Sequence, residues 1–289
     1  MASSIRPGWK NRGMISQFTS PIISKEKLGE KIFKLTLSSP HISKRAKPGN
    51  FVYIKVSPNW YPLLRRAFSV HNVDKQKRSF DVLFKVVGKG TEILSEKSVG
   101  DVLDLLGPIG NDFSLPHKGK TVMLVAGGMG IAPLWFLFTN LIKKIDKKRL
   151  LFFLGARTQK ELLYYKKLKD WGINLIVTTD DGTFGTKGLV TEVFFKEIKR
   201  FDLAHHKRRK NESKKLMIYS CGPPEMLKKM SEISKEYDLS CQISLEGSMA
   251  CGVGACWGCV AKLENGGYKR VCIDGPIFDA REVVLESNS

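Results

Sequence analysis

The sequence predicts a multi-domain α+β protein, in which an N-terminal antiparallel β-barrel precedes a central α/β domain with a parallel sheet and a cysteine-rich C-terminal domain. Three observations predict this order: period-2 hydrophobic alternation early in the chain, alternating apolar runs and helical stretches in the middle, and four cysteines close together near the end. The predicted divisions are a basic tail (1–16), the barrel (17–115), the α/β domain (116–240) and the cysteine-rich domain (241–289).

The barrel prediction rests on short alternating runs such as KIFKLTL, NFVYIKV, AFSVHNV and SFDVLFKVV, which are separated by turn signals. Two of its segments have anion-binding chemistry. LLRRAFSV places Arg66 and Ser69 just inside a strand as a donor pair suited to a phosphate. VVGKGT, residues 86–91, places two glycines and Thr91 at a predicted helix start. The Gly/Pro turn GPIGNDF then closes the barrel.

The α/β prediction rests on five apolar runs (TVMLVA, LLFFL, INLIVT, LMIYS, CQISL) that alternate with helical stretches, a pattern typical of a parallel sheet. After the first run, Gly127, Gly128 and Gly130 fall where a strand turns into a helix, and Pro133 suits the first helical turn. Backbone N–H groups that have no helical partner at this point favour the binding of a pyrophosphate. The G-x-G-x-x-G fingerprint is incomplete, because Pro133 replaces the third glycine.

Arg157 follows the second apolar run, at the position where an acidic residue often binds a ribose 2′-hydroxyl. An arginine there favours a 2′-phosphate, or it is simply a solvated side chain. The choice between NAD and NADP stays open at this point.

The cysteines give the most specific signal. Cys251, Cys256, Cys259 and Cys272 follow the spacing C-x4-C-x2-C-x12-C, which is the plant-type [2Fe–2S] arrangement. The glycines between them, at 252, 254 and 258, let the backbone fold tightly so that amides point at the sulfurs. A four-thiolate zinc site is the alternative, but it would ordinarily use two C-x2–4-C knuckles, and the second is missing here.

Two further cysteines and five histidines are interpreted more simply. Cys221 ends a strand beside a predicted helix N-terminus, so either its pKa is lowered there or a small residue fits a tight turn. Cys241 is expected in the core. His41, His71 and His117 are expected near turns as surface or satisfied groups, and His205 and His206 have no partner motif. No acid–base pair is expected.

The 289 residues carry 48 Lys and Arg against 28 Asp and Glu, a net charge of +20, and 42% of them are hydrophobic. The hydrophobic content excludes a largely disordered chain. The basic charge raises the question of nucleic acid, but it is spread thinly, its densest run (205–215) is typical of a solvated loop, and no nucleic-acid-binding motif accompanies it. No apolar run approaches the ~18 residues of a membrane span, so we expect a cytoplasmic protein with no membrane or nucleic-acid partner.

The motif order PGNF, LRRAFS, VVGKGT, GPIGNDF, VAGGMGIAPL, TDDGTFGTKG, CGPPEML resembles the ferredoxin-reductase superfamily of flavin–nicotinamide electron transferases. The tail SLEGSMACGVGACWGCV…YKRVC narrows the resemblance to the electron-transfer subunits of NAD-linked (class 1B) dihydroorotate dehydrogenases. The resemblance covers nearly everything from Gln17 to Glu286. One departure is that Ala67 replaces a proline of the family motif, which removes no hydrogen-bond donor.

The resemblance implies three cofactors: FAD, a [2Fe–2S] cluster and NAD. The implied FAD residues are Arg66, Ala67, Phe68, Ser69, Leu83, Phe84, Lys85, Gly90 and Thr91. The implied nicotinamide-nucleotide residues are Gly127, Gly128, Gly130, Cys221, Gly222 and Pro223, and the implied cluster ligands are Cys251, Cys256, Cys259 and Cys272.

The implied activity is electron transfer from the FMN of a separate dihydroorotate dehydrogenase catalytic subunit, through the cluster and FAD, to NAD⁺ in pyrimidine biosynthesis. A flavin is expected between the cluster and the nicotinamide, because a nicotinamide moves a hydride whereas a cluster moves single electrons. The implied assembly is a heterotetramer of two plus two chains.

Two other functions are weighed. The small flavin and iron–sulfur subunit of an NADPH–ferredoxin transhydrogenase or of a cytoplasmic hydrogenase has the same layout, and Arg157 favours it modestly. The fully thiolate cluster motif favours dihydroorotate dehydrogenase instead. A basic zinc protein for nucleic acid would explain the charge and the cysteines, but it would not explain the ordered barrel and α/β motifs.

Overall fold

The computed structural model describes residues 15–203 and 215–286. The predicted basic tail (apart from residues 15 and 16), the 205–214 part of the basic run, His205 and His206 lie outside these residues. Within the described residues, no helix combines the length and the apolar character that crossing a membrane requires.

The N-terminal part forms a six-stranded closed barrel with the strand order β1-β2-β5-β4-β3-β6. All neighbouring strands are antiparallel, as the alternation predicts, and β1 pairs with β6 to close the barrel. The strands are β1 (Ser16–Gly29), β2 (Ile32–Ser38), β3 (Phe51–Lys55), β4 (Arg66–Asp74), β5 (Ser79–Lys85) and β6 (Val102–Ile109). Two short helices, α1 (Pro40–Arg45) and α2 (Lys89–Glu96), follow β2 and β5.

The central part is a seven-stranded sheet in the order β10-β9-β8-β7-β11-β12-β15. Its first six strands are parallel and comprise β7 (Thr121–Gly127), β8 (Leu150–Ala156), β9 (Asn174–Thr179), β10 (Thr186–Lys187), β11 (Leu216–Cys221) and β12 (Cys241–Ser244). The helices are α3 (Ile131–Leu141), α4 (Tyr165–Asp170), α5 (Val190–Leu203) and α6 (Pro224–Glu236), and short 3₁₀ turns lie at Gly128–Gly130, Lys147–Arg149 and Gln159–Glu161.

Both faces of this sheet are buried, in agreement with the continuous apolar runs of its strands. One hydrophobic cluster packs α3 and α4 against one face, and another packs α5 and α6 against the other. The predicted five parallel strands are all present. The two additional strands are β10, which has two residues, and β15 (Ile277–Asp279), which pairs antiparallel with β12. Both are too short to give a periodic signal, and β15 belongs to the segment that follows the last cysteine.

The cysteine-rich part contains little regular structure of its own. A short antiparallel hairpin of β13 (Val260–Lys262) and β14 (Tyr268–Arg270) separates Cys259 from Cys272. The segment that follows is fixed to the end of the barrel through Asn111. The Asn111 side-chain amide donates to the carbonyl oxygens of Asp274 (3.1 Å) and Ile277 (2.8 Å), and its oxygen accepts from the Ile277 amide (2.9 Å). The first three residues of the predicted GPIGNDF turn belong to β6, so the turn prediction is wrong for residues 107–109, and Asn111 after them joins the barrel to the C-terminal segment.

His71 differs from the expectation of a residue near a turn: it lies within β4 and is 1% exposed. One ring nitrogen is 2.9 Å from the Ala132 carbonyl oxygen and the other is 2.9 Å from the Tyr164 hydroxyl, so the ring joins the barrel to the α/β domain. Burial, with smaller effects from Lys34 and Lys167, lowers the pKa of His71 to about 4, although the Ala132 hydrogen bond opposes this change. The interpretation of His71 as a satisfied group is confirmed.

The buried His71 predicts that the free energy of unfolding falls as the solution is acidified. Below about pH 6.5 the unfolded chain binds a proton at His71, whereas the folded chain binds it only near pH 4. We therefore expect the His71 contribution to be about 1 kcal/mol smaller at pH ~5.5 than at pH ~7.5. Urea denaturation of wild type and of His71→Gln at both pH values measures this difference. His117→Gln, which replaces an exposed histidine, is the control. An identical pH slope in wild type and His71→Gln would contradict the prediction.

Candidate redox site

The first part of the site is the N-terminus of α2, where Gly90 and Thr91 lie. Thr91 Oγ1 accepts hydrogen bonds from the amides of Val87 (2.9 Å) and Gly88 (3.2 Å) and donates to the Gly88 carbonyl (2.8 Å). These bonds fix the predicted helix start. The first-turn amides at such a start have no partner within the helix, and they attract anions.

Arg66 lies directly against this turn, whereas its neighbour Arg65 does not. A Cβ atom built on Gly90 would be 2.8 Å from Arg66 Nε, so the guanidinium and the start of α2 are in close contact. Arg65 instead donates to the carbonyl oxygen (2.9 Å) and the carboxylate (2.7 Å) of Asp104 in β6. The two adjacent arginines therefore have different roles, and the structure brings only Arg66 to the α2 turn.

The remaining predicted flavin residues belong to β4 and β5. Phe68, Leu83 and Phe84 are buried, while Ala67 is exposed and Ser69 is partly exposed beside them. Lys85 at the end of β5 forms an ion pair of 2.8 Å with Glu161, which lies just after β8. Strands β4 and β5 thus offer backbone, methyl and hydroxyl groups close to the point where Arg66 contacts Gly90.

The two predicted nicotinamide segments come together at the carboxyl edge of the sheet, because β7 and β11 are neighbouring parallel strands. A Cβ atom on Gly130 would overlap the carbonyl of Cys221, so only glycine allows this approach. A Cβ atom on Gly127 would be 3.1 Å from Pro223 Cδ. A Cβ atom on Gly128 would have no heavy atom within 4 Å, which leaves the space beside its backbone open to a ligand. Such an edge, with a helix N-terminus at each turn, suits a dinucleotide.

The suggestion that the Cys221 pKa is lowered is wrong. Cys221 is 1% exposed, and burial raises the pKa of its thiol, with a further contribution from the charge of Glu246. This burial outweighs the helix N-terminus. The alternative interpretation, a small residue that fits a tight turn, agrees with the close approach of Gly130 to the Cys221 carbonyl.

Glu246 is a residue of this edge that the sequence analysis missed. It follows β12, its carboxyl is close enough to Cys221 to affect the thiol, and the surrounding protein raises the pKa of the Glu246 carboxyl itself. The residue nevertheless keeps an exposed surface. Its position five residues before Cys251 is the one signal in the sequence that would have marked it.

The four cluster cysteines form two pairs. The Cys256 amide donates to Cys251 Sγ, and the Cys272 amide donates to Cys259 Sγ, so each pair of cysteines is in direct contact. Among the residues that the structure describes, no three His, Cys, Asp or Glu side chains group as a site for one metal ion. Two thiol pairs suit two iron atoms with two ligands each, whereas a zinc ion needs four ligands around one centre. Four thiols in two pairs therefore fit a binuclear cluster.

Backbone amides point at the sulfurs, as the glycine pattern predicts. The Val253 and Cys256 amides donate to Cys251 Sγ at 3.5 and 3.4 Å, the Gly258 amide donates to Cys256 Sγ at 3.4 Å, and the Cys272 amide donates to Cys259 Sγ at 3.4 Å. Burial acts to raise the pKa of Cys251, but the amide hydrogen bonds outweigh it and lower the pKa to about 6. The Cys251 thiolate is thus favoured at neutral pH, as an iron ligand requires.

The loop that carries Cys251 rests on the barrel through Tyr53, another residue that the sequence analysis missed. The Tyr53 hydroxyl is 2.7 Å from the Met249 carbonyl oxygen and 3.0 Å from that of Ala250. Tyr53 is a polar-ended residue in the apolar run NFVYIKV, but nothing in that run indicates a partner 196 residues away.

The geometry defines a class of protein: a barrel and a parallel-sheet domain whose adjoining edges suit a flavin and a nicotinamide nucleotide, with a thiolate loop for an iron–sulfur cluster beside them. This class is the flavin- and nicotinamide-dependent oxidoreductases that carry an iron–sulfur domain. Three family models match in the same order. They describe an oxidoreductase FAD-binding domain (residues 20–126), an oxidoreductase NAD-binding domain (124–232) and the iron–sulfur cluster binding domain of dihydroorotate dehydrogenase B (246–284).

The chain belongs to the family of dihydroorotate dehydrogenase B electron transfer subunits. It is 36% identical to the "Dihydroorotate dehydrogenase B (NAD(+)), electron transfer subunit" of Desulforamulus reducens over 94% of this chain and 100% of the relative. It is 37% identical to the subunit of the same name from Bacillus cereus (strain B4264), over 91% and 97% of the two chains. The predicted family, fold class and cofactor classes are confirmed.

Solved structures give a consistent result. The structure of an NADH-dependent reduced ferredoxin-NADP oxidoreductase is 31% identical, with a TM-score of 0.78 over 92% of this chain and 90% of the other. A ferredoxin NADP⁺ reductase from Neisseria gonorrhoeae with bound FAD and NADP is 19% identical, with a TM-score of 0.63 over 76% and 91% of the chains. The second similarity concerns the fold alone.

The thiol pairs predict that Cys256→Ser removes the visible absorbance and the acid-labile sulfide of the cluster while leaving flavin content intact. Because the predicted flavin residues are on the barrel, the rate at which NADH reduces a dye should stay within about twofold of that of wild type. Cys241→Ala, which removes a buried cysteine outside the loop, serves as the control and should keep its iron. A Cys256→Ser protein that loses FAD but retains its cluster would contradict the assignment.

The contact between Arg66 and the α2 turn predicts that Arg66→Ala weakens FAD binding. A charge-assisted hydrogen bond contributes about 1.5–3 kcal/mol, so the FAD dissociation constant should rise roughly tenfold to a hundredfold. Arg65→Ala removes the same charge one position earlier, at the Asp104 ion pair, and should retain FAD. Titration of apoprotein with FAD, followed by flavin fluorescence, measures both. Equal affinities in wild type and Arg66→Ala would remove Arg66 from the site.

Proposed function

We propose that this chain passes electrons from dihydroorotate oxidation to NAD⁺, as the electron-transfer subunit of an NAD-linked dihydroorotate dehydrogenase. The proposed route runs from the FMN of a separate catalytic subunit, through the [2Fe–2S] centre and the FAD of this chain, to the nicotinamide. The observation that carries the proposal is the meeting of the three predicted sites. The Cys251 loop contacts the barrel through Tyr53, and the barrel contacts the start of the helix that follows Gly130 through His71, whose ring nitrogen is 2.9 Å from the Ala132 carbonyl oxygen.

The proposed roles of the residues follow their positions. Arg66, Ser69, Gly90 and Thr91 hold the flavin diphosphate and orient the ring system against β4 and β5, with backbone contacts from Leu83 to Lys85. Gly127, Gly128, Gly130 and the Cys221–Pro223 turn hold the nicotinamide nucleotide. Cys251 and Cys256 hold one iron, and Cys259 and Cys272 hold the other. When bound, the flavin supplies the exchange between two-electron and one-electron transfer.

The proposed domain boundaries are 17–115, 116–240 and 241–289, although β12 (Cys241–Ser244), at the start of the third domain, is itself a strand of the central sheet. The Asn111 junction and β15 support a C-terminal domain that is not independent, because it completes its hydrogen bonds on the other two. We also propose a cytoplasmic location. The six cysteines are all free thiols, which fits a reducing compartment.

Exposed apolar side chains near the thiolate loop support a docking surface for the catalytic subunit. We define the apolar face as Trp60, Tyr61, Leu63 and Leu64 after β3, together with Val253, Trp257, Val260 and Tyr268 around the cysteines. Trp60 is 87% exposed and Trp257 is 54% exposed. Arg270 lies 4.9 Å from the Trp257 ring centroid and fixes that ring at the surface.

Both halves of the apolar face adjoin the β3–β4 pair. The first half lies in the connection between these two strands, and the loop of the second half is hydrogen-bonded to Tyr53 of β3 through the Ala250 carbonyl oxygen. Large apolar side chains that remain exposed near each other mark protein interfaces. We propose an assembly of two of these chains with two catalytic subunits.

Co-expression with an FMN-type dihydroorotate dehydrogenase catalytic subunit tests the proposal. We expect a stable complex that reduces NAD⁺ with dihydroorotate, and loss of complex formation by roughly tenfold or more in Kd when Trp257 is replaced by Ala, because exposed tryptophans are frequent interface anchors. Leu189→Ala, an exposed apolar residue of the α/β domain, is the control. Mass photometry of the complex measures the stoichiometry. A wild-type chain that neither binds the catalytic subunit nor couples to it would refute the proposal.

A second candidate is the small subunit of an NAD(P)H–ferredoxin transhydrogenase. The observation in its favour is the 31% identity and the 0.78 TM-score to the NADH-dependent reduced ferredoxin-NADP oxidoreductase. In addition, Arg157 is exposed after β8, where it suits a 2′-phosphate. Comparing NADH with NADPH as reductants of the isolated chain, together with the partner recovered from native extract, separates this candidate from the first.

A further inference from the structure

We propose that Tyr53 is the positioning residue that fixes the iron–sulfur loop against the flavin site and sets the rate of electron transfer between them. This inference rests on the proposed function of the chain as a carrier between a cluster and a flavin, and it assigns one residue to the step that both sites share. Tyr53 is not among the predicted ligands of either cofactor.

The backbone of Tyr53 belongs to the flavin side. Tyr53 lies in β3 and pairs with Ala67 of β4, and the next residue, Ile54, pairs with Arg66. The strand that carries Tyr53 is therefore hydrogen-bonded to the strand that carries the predicted flavin residues. Any displacement of β4 is transmitted directly to Tyr53.

The side chain of Tyr53 belongs to the cluster side. Its single hydroxyl proton is shared between the carbonyl oxygens of Met249 (2.7 Å) and Ala250 (3.0 Å), and Ala250 precedes the predicted ligand Cys251. A Cβ atom on Gly252 would be 2.6 Å from the Tyr53 ring, so the ring lies flush against the loop on the other side of Cys251. Gly252 also has φ +69°, a conformation that favours glycine.

Burial makes this contact rigid. Tyr53 is 1% exposed, and its ring belongs to the hydrophobic cluster that includes Phe51, Cys259 and Cys272. A buried hydroxyl with two acceptors and a ring in van der Waals contact leaves little freedom for the loop. When both cofactors are bound, single electrons would pass between the cluster and the flavin, and no bond would be made or broken in Tyr53. Its contribution is to hold the donor and acceptor sites at a fixed separation.

The test follows the isolated holoprotein after rapid mixing with NADH, and it needs no catalytic subunit. Absorbance at wavelengths dominated by each cofactor separates flavin reduction by NADH from cluster reduction by the flavin. In Tyr53→Phe we expect normal FAD, iron and sulfide content and normal flavin reduction. Cluster reduction should be roughly tenfold or more slower, because small misplacements of reacting centres cause losses of that size. Hydrogen–deuterium exchange of residues 249–256 should be faster.

Tyr219→Phe is the matched control. Tyr219 is also fully buried, and its hydroxyl donates one hydrogen bond of 2.7 Å to the Ser114 carbonyl, but its ring packs against Phe113 in the other hydrophobic cluster and not in the one that contains Cys259 and Cys272. It should leave cluster reduction unchanged. If Tyr53→Phe does not fold, Gly252→Ala tests the same contact from the loop side and should slow the same step at equal iron content. Unchanged cluster reduction in these variants, or an equal slowing of flavin reduction, would overturn the inference.

The outcome is separable from that of the proposed function. A chain that fails to couple with a dihydroorotate dehydrogenase catalytic subunit, but shows the selective loss in Tyr53→Phe, would refute the partner and retain the role of Tyr53. A chain that couples normally, with Tyr53→Phe indistinguishable from wild type in both reduction steps, would retain the partner and refute the role of Tyr53.

Discussion

The structure depends on one constraint: the cysteine-rich segment must be held against the barrel, because electrons pass between two centres only when their separation is short and fixed. That segment has little structure of its own beyond the β13–β14 hairpin. It is fixed instead by hydrogen bonds to Tyr53 and Asn111 of the barrel and by the pairing of β15 with β12 of the sheet. Hydrogen bonds and strand pairing therefore join the three parts of the chain around the site.

The predicted nicotinamide-nucleotide part of the site depends on the topology of the parallel sheet. Parallel strands bring their carboxyl ends to one edge, and each strand is followed there by a turn into a helix. Because β7 and β11 are neighbours, the turns after them meet, and the approach of Gly130 to the Cys221 carbonyl is the closest point of that meeting. The buried Cys221 thiol has a raised pKa, so this residue serves packing at the edge rather than nucleophilic chemistry.

Much of this arrangement could be predicted from local pattern. Alternation with period 2 predicted the barrel, continuous apolar runs predicted the parallel sheet, and the spacing of Cys251, Cys256, Cys259 and Cys272 predicted the chemistry of a cluster. Each of these signals lies within a short stretch of chain. The difference between Arg65 and Arg66 could not be predicted, because it depends on partners far away in sequence: Asp104 for the first and the α2 turn for the second.

The sequence by itself determined the order of the domains, the spacing of the four candidate thiolate ligands and the glycine turns, since each is a property of residue type and near spacing. Only the tertiary structure decided how these parts meet. Tyr53 reaches a carbonyl 196 residues away, β15 adds the last strand to a sheet that begins at Thr121, and Glu246 lies beside Cys221. These contacts join segments that are far apart along the chain, and no local sequence pattern indicates such pairs. They form when the hydrophobic cores pack and the remaining hydrogen bonds are completed between the packed segments.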